Sequence, residues 1–229
     1  MPSPTDVDEV RSALHDLNTL AVRDLTRYWR RIEDQDRRAK RNLLVDAAYA
    51  LVSPFLEAAA MLGATHYEQL LPGSEFQAVT ADPTSREAIE ASARWAASAL
   101  WRDGSASPLV LQAGSNQRRI FGAFNETILA NVAAEPGARW ARYASATACP
   151  FCRVMAIRGA VFRTEDSGAF RAHDHCRCLA TAVRPGDSWE PPGYVAKWED
   201  QYRLAARETD GSISQVVAHM RGQEPKNPA

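Results

Sequence analysis

Residues 148–178 read ACPFCRVMAIRGAVFRTEDSGAFRAHDHCRC. Every cysteine of the chain lies in this stretch, Cys149, Cys152, Cys176 and Cys178, together with His173 and His175. Cys149 and Cys152 form C-x-x-C, a spacing that lets two thiolates of one tight turn face a single ion. His173 and Cys176 repeat the two-residue gap, and Cys178 follows. A tetrahedral ion takes four donors, so two of the six candidates are surplus. The expected set is Cys149, Cys152 and His173 with one of Cys176 or Cys178, the other facing away. Sulfur and nitrogen donors suit zinc, because thiolates disfavour magnesium and calcium. Three further readings stay open at this point. They are two disulfides joining CPFC to CRC, four unlinked thiols packed as small apolar groups, and catalysis by a cysteine or a zinc-bound water.

The flanks of this knot decide the rest of the fold. Upstream, Val10, Leu14, Leu17, Ala21, Leu25, Trp29 and Ile32 recur at steps of three and four and predict a helix, with Thr5 and Asp8 as its start. A second helix carries Leu43, Leu44, Ala47, Ala48, Leu51, Phe55, Ala58, Ala59 and Leu62, with Pro54 inside it and Gly63 as its stop. Residues 71–82 read as a loop. A third helix starts near Thr84 or Ser85 and carries Ile89, Ala93, Ala96 and Leu100; a fourth carries Ile120, Phe121, Phe124, Ile128 and Val132. After Gly137 the pieces shorten. RWARYAS, AVFR and CLATAV predict strands, CPFCRVMAIRG a helical turn, and PGDSWEPPG a rigid loop. Two helices, near 194–208 and 212–221, follow. The expectation is an α+β chain, mostly α, with a helical domain over 1–136. A second unit over 137–229 holds the small mixed α/β Cys/His module, its core at 137–186, and the C-terminal helices.

The 229 residues, 45% hydrophobic and 24% charged, suit a soluble globular protein. A net charge of −1 demands neither nucleic acid nor a membrane surface. The N-terminus lacks the basic start and apolar run of a signal peptide, and no apolar stretch is expected to reach bilayer length. Synthesis in a reducing cytoplasm follows, where clustered cysteines bind metal more often than they form disulfides. Arg27, Arg30, Arg31, Arg37, Arg38, Lys40 and Arg41 form a basic patch at the first helix joint. Glu33, Asp34 and Asp36 interleave it, so it reads first as a solvated surface and second as a contact for packaged DNA or an acidic partner. Trp29, Trp95 and Trp101 fall on helical stripes and read as core.

Enzyme templates fit poorly. In nucleobase deaminases H-x-E precedes P-C-x-x-C, whereas here the histidines of the cluster follow the C-x-x-C; H-E-x-x-H, a Walker-type loop and G-x-S-x-G are missing. No catalytic residue is assigned.

The string WARYASATACPFCRVMAIRGAVF followed by HDHCRC resembles the C-terminal domain of Mu-F-like phage head morphogenesis proteins. It looks closest to minor capsid proteins of tailed phages of actinobacteria. The shared pattern falls on Cys149, Cys152, Gly159, Phe162, His173, Cys176, Arg177 and Cys178, and the match covers about 137–182. Many members read H-P-N-C-R-C where this chain reads H-D-H-C-R-C. The resemblance implies a virion component at the capsid interior or portal vertex, assembled in the host cytoplasm. Its implied partners are portal protein and major capsid or scaffold protein, with no membrane. Some relatives are labelled capsid maturation protease, which gives the alternative function.

Overall fold

The structure, a computed structural model, describes residues 4–82, 84–104, 106–163 and 176–222. Helix α1 (Pro4–Ile32) buries Val10, Leu14, Ala21, Leu25 and Ile32 along one stripe, as their spacing demands. It is already helical at Pro4, so Thr5 lies inside it and does not precede it. Helix α2 (Arg37–Gln69) starts on Asp36, whose carboxylate accepts the N–H groups of Arg38 and Ala39 at 2.8 and 2.9 Å.

Helix α2 is the hub, packing against α1, α3 (Arg86–Ala97) and α4 (Pro108–Ala134), so its apolar residues spread beyond a single stripe. Its length and composition would also suit a bilayer crossing, which corrects the expectation that no stretch reaches that length. Pro54 sits within it without ending it. Gly63 does not end it either. A Cβ there would stand 3.0 Å from Thr127 Cβ and 3.1 Å from the Phe124 carbonyl oxygen. The glycine therefore marks close approach of α2 to α4, and the helix runs on to Gln69.

Hydroxyl caps start the next two helices. Ser85 Oγ accepts from Ala88 N at 3.2 Å, and Ser107 Oγ from Val110 N at 3.3 Å, with Pro108 in the first turn of α4. Between them lies a short 3-10 turn, Ser98–Trp101. Trp29 packs against a cluster of Leu25, Leu44 and Ala97, as expected of core. Trp95 and Trp101 do not: they are 48% and 51% exposed. The buried side of α3 is taken by Ile89, Ala93, Ala96 and Ala97, which leaves the indoles outward.

Strands β1 (Arg139–Tyr143) and β2 (Leu179–Val183) pair antiparallel, from Arg139 opposite Val183 to Tyr143 opposite Leu179. The AVFR segment contributes one bridge, Trp140 N to Phe162 O at 2.9 Å, where a strand was expected. Strand β2 lies on α4, where Asn125 acts as a substitute strand: its Oδ1 accepts from Ala180 N at 2.8 Å and its Nδ2 donates to the Cys178 carbonyl at 3.3 Å. Trp140, Tyr143, Leu179 and Ala180 join Leu14, Val52 and Phe121 in one apolar cluster.

A buried ion pair stitches the same elements. Arg184 Nε and Nη2 donate to Glu135 Oε2 and Oε1 at 2.9 and 2.7 Å. The Tyr67 hydroxyl donates to Glu135 Oε2 at 2.7 Å. Beyond the strands, α5 (Pro150–Ala156) carries α6 (Val195–Arg207) and α7 (Ile213–Gly222) through Val154, Ala205, Val216, Val217 and Met220. The whole is α+β, mostly α.

Candidate metal centre

Cys149 is the residue before α5, Pro150 opens the helix, and Cys152 lies one turn on. Residues 176–178 run straight into β2. Pairing of β1 with β2 thus brings CRC back beside the start of α5. The sulfurs of Cys152, Cys176 and Cys178 lie within 4.8 Å of one another, and all three residues are buried. Cys149, half-buried, packs against this trio.

Cys176 and Cys178 both turn inward, although one was expected to face away. Residues two apart in extended backbone share a face, and it is Arg177 between them that is exposed. His173 and His175 lie outside the described residues.

The four thiols are unlinked. Cys152 Sγ and Cys176 Sγ stand 3.9 Å apart, far beyond the ~2.05 Å of a disulfide. That separation is close to the edge of a tetrahedron built from metal–sulfur bonds of about 2.3 Å, which is ~3.8 Å. The cluster is electrostatically tense. Hydrogen bonding to Cys149 above all, then to Cys176 and Cys178, holds the Cys152 proton in place and pushes that thiol up. Donation from Cys152 first, then Cys178, pulls Cys176 down to about 2, with help from the charge of Arg142. Cys152 pulls Cys178 down as well, but Cys176 and burial prevail and push it up to about 12. Crowded sulfurs that trade protons are a donor set that a soft divalent ion can replace those protons in. A metal ion can be held here.

The sequence reading passed over Arg142. It is buried on β1, donates Nη1 to Cys152 Sγ at 3.6 Å, and lies 5.7 Å from the Phe151 ring centre. The available signal was a charged residue inside a short strand, set between Ala141 and Tyr143.

Comparison with known proteins gives one family. The VG15 protein family matches residues 1–205. It is a viral, phage-borne family, and this chain belongs to it. No curated protein matches the chain, and no solved structure does.

Proposed function

We propose that this VG15-family phage protein is a minor head protein that acts near the portal during prohead assembly, and that its sulfur cluster holds a structural zinc ion. The carrying observation is the convergence of Cys152, Cys176 and Cys178 in one buried pocket. Cys149 packs beside Cys152 and serves as the fourth donor, with His173 as its competitor for that place. Zinc suits an all-sulfur or sulfur-rich tetrahedral set, and such closed sites add directly to folding free energy. The ion ties the start of α5 to the start of β2. The burial of Cys152, Cys176 and Cys178 supports holding an ion over catalysis on a polypeptide. The head assignment rests on phage family membership together with the Mu-F-like pattern at residues 137–182. Its expected contacts are portal, scaffold or major capsid protein, and its expected place is the virion.

Two measurements test this. Metal analysis of the purified chain gives about one zinc per molecule, lost in Cys176→Ser and Cys178→Ser. Less than about half an equivalent, with oxidised thiols, removes the zinc reading. Mass spectrometry of purified virions finds the chain in the particle; its absence from both virions and proheads removes the head reading.

A further inference from the structure

The two outward indoles have arginines for neighbours. Between α2 and the end of α3 runs a cleft lined by Arg38, Arg41, Asn42, Arg94, Ser98 and Trp101. On the other flank of α3, Trp95 borders a second cleft with Ser92 and Arg118. Arg94 pairs with Glu90 at 3.6 Å. Arg41 meets only the neutral Asn42 amide, at 3.0 Å, and Arg102 the Ser98 hydroxyl, at 2.8 Å. Among the described residues, Arg38, Arg41 and Arg102 face no carboxylate in an ion pair. Helix stability does not account for Arg38 either, because the first turn of a helix favours acids and α2 begins with Arg37 and Arg38.

We propose that this face, centred on Trp101 with Arg38, Arg41 and Arg94, docks an acidic, partly apolar segment of another protein. Exposed tryptophan beside arginine is the composition of interface anchors. Each indole offers a flat apolar contact, and each guanidinium can donate two parallel hydrogen bonds to a carboxylate. A nucleic acid strand suits the face less well. Asp36 caps α2 beside Arg38 and Glu90 pairs with Arg94, and carboxylates repel a continuous phosphate backbone while a protein can place its acids between them. The proposal stands apart from the zinc and the head assignment.

The test titrates the full chain with a fluorescein-labelled peptide alternating glutamate with leucine and phenylalanine, read by anisotropy and indole quenching. Controls are the same peptide with glutamine for glutamate and a labelled single-stranded oligonucleotide. The acidic peptide binds, and the glutamine peptide binds at least roughly tenfold more weakly. Arg38→Glu with Arg41→Glu weakens binding by roughly tenfold or more, and so does Trp101→Ala, with unchanged melting temperatures. Arg38 is exposed and Arg41 partly so, and reversing both keeps the test usable where Trp101→Ala does not fold. Equal binding of the glutamine peptide, indifference to the arginine reversal, or tighter binding of the oligonucleotide overturns the proposal.

Discussion

Arg142 and Glu135 show what single residues do here that their neighbours in sequence do not announce. Arg142 brings a buried positive charge to a sulfur cluster that becomes anionic when it holds a divalent ion. Arg142→Met therefore weakens zinc binding by roughly 10–100-fold, the usual penalty for losing a partner of a metal ligand. Competition with a chromophoric chelator measures it, and an unchanged affinity refutes the role. Glu135 carries a pH signature. Burial alone raises its carboxyl, but the hydrogen bonds from Arg184 and Tyr67 prevail and hold it below its ordinary value. The stability this gives is complete above the unfolded carboxylate value of about 4.3 and is lost as pH falls through the lower folded one. Glu135→Gln, which strands the Arg184 charge, costs ~3–5 kcal/mol at neutral pH. In urea melts the gap to the parent narrows toward roughly pH 3, and a gap independent of pH contradicts the assignment. The cysteines were legible because they are few and their spacing is chemical. Arg142 and the Glu135–Arg184 pair were not, because nothing local says which distant partner a buried charge meets.

At the scale of elements, the helices were legible where apolar residues recur at steps of three and four, as in α1 and α3, although the start expected for α1 at Thr5 was not. Helix α2 was harder to bound because it packs against three helices, so its apolar residues carry no single stripe. Gly63 was read as a stop since glycine does end helices, whereas its reason lies across the bundle, on Thr127 and Phe124. Gly63→Leu should force α2 and α4 apart and cost ~1–3 kcal/mol, seen as a lower melting temperature. A stability equal to the parent would show that the approach of the two helices is loose. AVFR was read as a strand from its apolar β-formers. Only Phe162 bridges, its ring 4.7 Å from that of Trp140, so packing and not a ladder fixes it.

The molecule as a whole shares its main core across the division expected near residue 136, since Trp140 and Leu179 pack with Leu14 and Phe121. Sequence periodicity marks where helices are, but the joining of two regions depends on contacts between residues far apart in the chain. The placement of the sulfurs has a consequence in time as well as in space. Cys149 and Cys152 stand just after β1, Cys176 and Cys178 just before β2, so the ligands flank the neck of the long excursion between the strands. Bringing the two ends of such an excursion together is an entropic search that slows long-range pairing. An ion captured early by both ends shortens that search and delivers Tyr143 to Leu179 in register. Refolding followed through Trp140 should then run faster with zinc present from the first moment than with zinc added after the strands have closed. Equal rates would mean that the ion arrives at a hairpin already formed.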